Sequence, residues 1–324
     1  MERYLITGAA GFVGRHFLEY LATVERDAVV LGLDLHLPEK RAFAPGVDAL
    51  DLRFVAVDLI DSESVFRMIE DFRPTRVLHL ASLSSVAYSW RHPSACLLNN
   101  TNIFLNVIES IRKLDIPCRI LSVGSSEEYG DIPSEEMPLR ENRPLDPISP
   151  YAVARVSQEM LSRVYVVGYG LDVVLTRSFN HVGPHQSSRF VVASFVEQII
   201  DRKLRSALDD VGVPAVLRTG NLEIVRDFSD VRDVVRAYHA LFQDGRKGEV
   251  YNVCSGIGRS LRTVVDIIAA FLDIAIRIEI DPALIRPADN AVVIGCNEKI
   301  RDHTGWIPEI PLEKTLADMV LAAR

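Results

Sequence analysis

Residues 4–14 read Tyr-Leu-Ile-Thr-Gly8-Ala-Ala-Gly11-Phe-Val-Gly14. The apolar run Tyr4–Thr7 reads as a strand, and the amphipathic stretch Phe12–Thr23 reads as a helix. Between them Gly8 makes the tight turn. Gly11 lets backbone N–H groups approach a pyrophosphate at the helix N-terminus, and Gly14 lets helix and strand pack closely. The spacing is G-x-x-G-x-x-G, one residue wider than the commonest dinucleotide fingerprint. Asp34 supplies the context that a lone glycine triplet lacks. It ends a second apolar run, Ala28–Leu33, and lies 20 residues after Gly14. A carboxylate there accepts both ribose hydroxyls of an adenosine and repels a 2′-phosphate, which favours NAD(H). His36, Lys40 and Arg41 follow closely and offer cations to a phosphate, so NADP(H) stays open. Asp58 ends a third run, Phe54–Val57. It either contacts the adenine or caps the helix that starts near Asp61.

Strand and helix signals alternate as far as about residue 175. Further strands are expected at Arg76–Leu80, Arg119–Val123 and Asp172–Thr176, and helices at Ser62–Asp71, Asn100–Lys113 and Pro150–Gly168. That alternation predicts an α/β fold: a doubly wound parallel-sheet Rossmann domain with right-handed crossovers. After Arg177 the prolines at 184, 214, 282, 287 and 308 break up short segments. We expect residues 1–177 plus 231–255 to form the dinucleotide-binding domain. Residues 178–230 plus 256–324 form a smaller, discontinuous C-terminal α/β substrate domain, with a ligand cleft between the two.

Composition narrows the function classes. The 324 residues are 48% hydrophobic and 25% charged, ordinary for a globular protein. The 36 Lys and Arg against 44 Asp and Glu leave a net charge of −8 with no basic block, so nucleic acid and membrane are not expected partners. A strand beginning at residue 3 or 4 leaves no room for a signal peptide, and no apolar stretch reaches ~18 residues, so the expected location is the cytoplasm. Cys96, Cys118, Cys254 and Cys296 lack metal-ligand spacing and read as buried free thiols. No metal site is expected.

Two further stretches carry chemistry. Val123-Gly-Ser125-Ser126-Glu127-Glu128-Tyr129-Gly130 follows an apolar strand, so its polar groups sit at a strand's carboxyl end, where doubly wound sheets bind ligands. In Ser149-Pro150-Tyr151-Ala-Val-Ala-Arg155, Ser149 caps a helix and Pro150 suits its first turn. Tyr151 and Arg155 are then i and i+4 on one face. A cation beside a phenol favours phenolate, and a Ser125 hydroxyl can bond the same substrate oxygen. Together they form an acid/base group suited to protonating an alkoxide as hydride arrives. The plain alternative is a surface Tyr–Arg pair beside a serine-rich turn.

The chain resembles the extended short-chain dehydrogenase/reductases that act on nucleotide sugars. Within them it is most similar to GDP-4-keto-6-deoxy-D-mannose reductases, relatives of the GDP-mannose 4,6-dehydratases. The likeness runs end to end. It is carried by Ser125-Ser-Glu-Glu-Tyr-Gly130, Arg177-Ser-Phe-Asn180-His-Val-Gly-Pro184, Gly220-Asn-Leu-Glu-Ile-Val-Arg226-Asp-Phe228, Val250-Tyr-Asn-Val-Cys-Ser-Gly256, Arg286-Pro-Ala-Asp289 and Thr304-Gly-Trp-Ile-Pro308. The resemblance implies a catalytic set of Ser125, Glu127, Tyr151 and Arg155. Ser125 bonds the sugar carbonyl, Tyr151 is the acid/base, and Arg155 stands where the family has lysine. That swap keeps the charge but changes shape and hydration.

It also implies that Leu80, Ala81 and Ser82 pass the cofactor and that Asn100 lies near the nicotinamide. The family's Gly-Thr after that asparagine is Ile103-Phe104 here. Phe12, Val13, Leu35, Leu59 and Val123 join Gly8, Gly11, Gly14, Asp34 and Asp58 on the cofactor. Asn180, Arg226 and Arg286 fall on the nucleotide diphosphate, where bidentate arginine bonding makes physical sense. Ser84, Ser126, Glu127, Val191 and Asp289 complete the substrate set. The implied reaction is reduction of GDP-4-keto-6-deoxy-D-mannose to GDP-D-rhamnose, by a homodimer or homotetramer. Three alternatives stay open: a GDP-mannose 4,6-dehydratase, with Glu127 as the base near C5; an NAD-dependent 4-epimerase; and a non-catalytic binding protein on the same scaffold.

Overall fold

Strand runs that are apolar at every position demand cover on both faces, and the sheet they build has it. The computed structural model describes residues 1–25, 27–38, 43, 46–209, 215–285 and 290–323. Its first half runs β1 (Arg3–Thr7), α1 (Phe12–Val24), β2 (Val29–Asp34), β3 (Asp51–Ala56), α2 (Ser62–Phe72), β4 (Arg76–His79), α3 (Val86–Arg91), α4 (Pro93–Lys113), β5 (Arg119–Ser125), α5 (Pro150–Tyr169) and β6 (Asp172–Ser178). The second half runs β7 (Asn180–Val182), α6 (Val191–Asp209), β8 (Ala215–Thr219), β9 (Val225–Asp230), α7 (Val231–Asp244), β10 (Val250–Val253), β11 (Gly258–Ser260), α8 (Leu261–Leu272), β12 (Ile276–Ile280), β13 (Val292–Val293), α9 (Glu298–Thr304) and α10 (Leu312–Ala322).

Seven parallel strands form the central sheet in the order β10-β6-β5-β4-β1-β2-β3. The chain winds from β1 through β2 to β3 on one side, then returns to β4 on the other. The order therefore reverses between β1 and β4, and ligands of such sheets bind in the crevice beyond the strand ends at that point. Successive strand residues point to opposite faces. Tyr4 and Ile6 join Phe17, Leu121, Tyr238 and Phe242 under α1 and α7. Leu5 joins Leu33, Val77, Phe104, Ile108 and Leu175 on the face covered by α2, α4 and α5. Ile300 and Trp306, far along the chain, belong to the first of these cores.

A third core gathers Val182, Phe195, Ile199, Leu217, Phe228, Ile268 and Met319. Around it β7, β9, β11 and β13 form a small sheet, and β8 pairs in parallel with β12. A fourth, smaller core of Tyr129, Ile132, Leu139, Phe179, Cys254 and Val293 joins the turn after β5 to the second half.

Three local expectations change. The helix expected from Asn100 begins at Pro93, because a proline at the first helical position lacks only an N–H that would be unpaired anyway. The strand expected from Phe54 begins at Asp51. Asp58 does not cap α2: Asp61 does, accepting the Glu63 and Ser64 N–H groups, while Asp58 accepts Ile60 N–H in a local turn. Cys118 is half-buried, the other three cysteines buried. Lys40, Arg41, Arg286 and Asp289 lie outside the described residues. Among the described residues no helix is long and apolar enough to cross a membrane, and no His, Cys, Asp and Glu cluster could hold a metal.

Candidate active site

The crevice opens between the loops after β1 and β4. Gly8 adopts the left-handed region, φ 70°, which favours glycine. At Gly14 a Cβ would lie 2.6 Å from the Ala9 carbonyl oxygen, so any side chain there would push α1 off the loop. Gly11 precedes α1 with no side-chain cap, and the first turn carries no acid. Its N–H groups and the positive end of the helix dipole are thus offered to an anion. Asp34, half-buried at the end of β2, accepts the Ala10 N–H at 3.0 Å and ties the acid to the glycine loop. Phe12 stacks on His181, with ring centroids 6.2 Å apart. Val13 is half-buried, Leu35 is exposed, and the Leu59 side chain is buried in the second core.

The β4 loop is held from beneath. Thr7 Oγ1 bonds His79 Nδ1 at 2.9 Å and accepts Ala81 N–H at 3.3 Å, and Leu80 N–H bonds the Thr7 carbonyl. Burial, with the Arg155 cation adding to it, depresses His79 to about 3, so its imidazole is neutral. Asn100 uses both ends of its amide on one residue, accepting Leu83 N–H at 2.8 Å and donating to the Leu83 carbonyl at 3.2 Å. It therefore fixes the backbone of this loop.

Ser149 caps α5 through Ala152 N–H, Pro150 stands in the first turn, and one face of the helix presents Tyr151 and Arg155. Arg155 Nε donates to the Tyr151 hydroxyl oxygen at 3.1 Å. Nη1 donates to the Val123 carbonyl at 3.0 Å and to Gln158 Oε1 at 2.8 Å, and Nη2 donates to Ser82 Oγ at 2.6 Å. Four of the five guanidinium N–H groups are engaged. The head is buried, and no carboxylate among the described residues pairs with it. Because Arg155 can only donate, the Tyr151 hydroxyl accepts and keeps its own proton for another partner. Ser125, buried at the end of β5, accepts Glu127 N–H at 3.2 Å and likewise retains a proton to give.

One cavity brings together Ser126, Glu127, Asn180 and Arg226 with Val86 and Trp90 of α3. Ser149, two residues before Tyr151, also lines it. Arg226 is buried and donates from Nη1 to the Val225 and Asn290 carbonyls. Ser84, exposed in the β4–α3 loop, and Val191, at the start of α6, do not line this cavity.

Two parts of the site escape a reading by residue type. Gln158 locks Arg155 in place. Its Oε1 takes Nη1, while Nε2 donates to Ser122 Oγ at 2.9 Å and the Val123 carbonyl at 3.1 Å. The spacing 151, 155, 158 on one helix face is the signal that could have found it. Behind Ser125, fully buried Glu128 accepts the Ser125 N–H at 2.7 Å. Burial, and then the charge of Glu159, push Glu128 up to about 8. Burial also opposes the Glu159 charge, but the two-pronged bond from Arg177 (2.8 and 2.9 Å) and the nearby Arg163 outweigh it and hold Glu159 below its ordinary range.

Residues 5–319 match the family model of the GDP-mannose 4,6 dehydratases. The chain is 31% identical to the GDP-6-deoxy-D-mannose reductase of Pseudomonas aeruginosa, over 97% of this chain and 95% of that protein. It is 26% identical to a GDP-mannose 4,6-dehydratase of Vibrio cholerae, over 99% and 93%. In three dimensions it is similar to the RMD structure of P. aeruginosa complexed with NADPH: TM-score 0.84, 29% identity, covering 100% of this chain and 99% of that one. It is equally similar to a UDP-glucose 4-epimerase of Thermus thermophilus in complex with NAD: TM-score 0.84, 30% identity, 99% and 98% covered.

Proposed function

The chain belongs to the GDP-mannose 4,6-dehydratase family, and on that premise we propose that it reduces the C4 ketone of GDP-4-keto-6-deoxy-D-mannose to GDP-D-rhamnose with a reduced nicotinamide dinucleotide. The observation that carries this reading is the end-to-end match to a protein named as the reductase, at 31% identity. Residues 1–177 plus 231–255 would hold the dinucleotide, and 178–230 plus 256–324 the sugar nucleotide.

The chain's residues fit the cofactor. A Cβ at Gly14 would fill the cradle, and the uncapped start of α1 lacks an acid. Gly8, Gly11, Phe12, Val13 and Gly14 would hold the pyrophosphate, and Asp34 and Leu35 the adenosine ribose. Asp58 and Leu59 would lie by the adenine, and Leu80, Ala81, Ser82, Asn100, Val123, Tyr151 and Arg155 by the nicotinamide half. Bound there, the reduced cofactor supplies the hydride that C4 receives. Tyr151 gives its retained proton to the developing C4 alkoxide, and Ser125 donates a hydrogen bond to the same oxygen. Arg155 orients the phenol through the bond from its Nε to the hydroxyl oxygen. Asn180 and Arg226 hold the diphosphate, so that remote binding energy positions the sugar.

Product analysis tests the assignment. The 4-keto sugar with reduced cofactor should yield GDP-D-rhamnose, and GDP-mannose alone should be left unchanged. Conversion of GDP-mannose to its 4-keto-6-deoxy derivative would instead support the dehydratase reading. That reading has one structural observation in its favour, Glu127 in the wall of the cavity.

Two expectations follow for ligands. A carboxylate at Asp34 should give NADH a higher kcat/KM than NADPH. A preference of about tenfold or more for NADPH would contradict this. Arg226→Ala should weaken GDP-sugar binding by about 1.5–3 kcal/mol, as for hydrogen bonds to charged groups, and leave cofactor affinity nearly unchanged. Equal loss of both affinities would displace Arg226 from the diphosphate. We also infer a homodimer or homotetramer. The support is the exposed apolar residues Val153, Met160, Val164 and Val167 on α5 and Leu98 on α4, two helices that pack against each other. A light-scattering mass of one protomer, 36.1 kDa, would exclude it.

A further inference from the structure

The turn that carries Ser125 is built against the helix that carries Tyr151, and a carboxyl joins them. Ser125 N–H donates to Glu128 Oε1 at 2.7 Å, and the Glu128 carbonyl accepts Asp146 N–H at 3.2 Å in the segment leading to α5. The Glu128 carboxyl meets Glu159, which lies two helical turns beyond Tyr151 and on the same side of α5. Glu128 is fully buried, and its Oε2 has no donor to accept from. Arg177 does not serve it: its directed bonds go to both oxygens of Glu159 and to the Glu141 carbonyl. Two buried carboxylates side by side would repel, and Oε2 would stay unsatisfied. One proton removes both faults. Carried on Oε2 of Glu128, it donates to the Glu159 carboxylate, and Oε1 remains the acceptor for Ser125.

We propose that Glu128 is a positioning residue for Ser125: it carries the single proton of a buried carboxyl–carboxylate pair with Glu159, and this pair sets the spacing between the Ser125 turn and the Tyr151 helix. The charged and titratable groups facing the pair are Arg163 on α5, Arg177 on β6, Tyr129 on the turn and Glu141 on the segment before α5. Both arginines lie closest to Glu159, so the proton resides on Glu128. The pH sense follows. Glu128 is raised from its ordinary value to about 8. Its contribution to stability is therefore fully present below the ordinary carboxyl pKa of ~4.3 and is lost progressively as pH rises through about 8. Above that pH the turn faces a second anion and Ser125 loses its position.

The role given to Ser125 rests on the reductase reading, whereas the shared proton does not, and the experiment separates them. Melting temperatures of the wild type and Glu128→Gln are compared from about pH 5 to about pH 8.5 without ligands. Glutamine keeps the acceptor and never ionises, so the gap should move steadily in its favour as pH rises. A gap that is flat in pH would overturn the shared proton. Rates are then measured for Glu128→Ala, Glu128→Gln, Ser125→Ala and the double variant Ser125→Ala/Glu128→Ala. Glu128→Ala should lower kcat about tenfold or more with little change in KM, Glu128→Gln should restore most of it and lose the alkaline limb, and Glu128→Ala should add nothing to Ser125→Ala. Losses that multiply in the double variant would overturn action through Ser125. A pH-dependent melting gap in a protein that reduces no 4-keto sugar would sink the reductase reading and leave the proton pair standing.

Discussion

Tyr151→Phe should lower kcat for ketone reduction by about 10²–10⁴-fold, the usual worth of a positioned acid/base group. The phenol is buried, and its oxygen already accepts from Arg155 Nε at 3.1 Å. The hydroxyl proton is therefore left for the substrate, and phenylalanine removes that proton while preserving the ring. Binding of the GDP-sugar should stay within a small factor of wild type, because the cavity wall that Asn180 and Arg226 contribute is untouched. Steady-state kcat and KM, with a separate binding titration, check both halves. A fully active Tyr151→Phe enzyme would remove the acid from the account and favour a binding protein on this scaffold.

Arg155→Met should lower kcat by about 10–100-fold, the equivalent of a lost charge-assisted hydrogen bond. Methionine also leaves Gln158 Oε1 and Ser82 Oγ without the Arg155 donor, and leaves the Val123 carbonyl with Gln158 Nε2 alone. On charge alone lysine would replace this arginine freely. The structure separates the two, because one ammonium with three donors cannot reach four acceptors spread around a planar fork. Arg155→Lys should therefore fall between wild type and Arg155→Met. Steady-state kcat for the three proteins decides this, and an unchanged rate in Arg155→Met would show that the guanidinium has no part in the chemistry.

The fold was legible because its strands are continuous apolar runs closed by marked turns. Tyr4–Thr7, its glycine loop and Asp34 place the crevice at the point where the sheet order reverses. Tyr151 and Arg155 were legible through helical spacing and a preceding Ser-Pro cap. Other features depend on contacts between distant segments. Gln158 reads as an ordinary helix glutamine until Ser122 and Val123 of β5 lie beside it. Glu128 reads as one more acid in a polar turn until the fold buries it against Glu159. The start of α4 lies seven residues ahead of the expected Asn100, because Pro93 opens the helix as its first residue.

On the reductase reading, hydride passes from an added reduced cofactor to C4 of the sugar. The most direct measurement supplies NADH dideuterated at the nicotinamide C4 with GDP-4-keto-6-deoxy-D-mannose and locates deuterium in the product by NMR. One deuterium is expected at C4 of GDP-D-rhamnose for each cofactor oxidised. A dehydratase or epimerase returns hydride within its own sugar, so a product without deuterium, or cofactor left unoxidised, would contradict it.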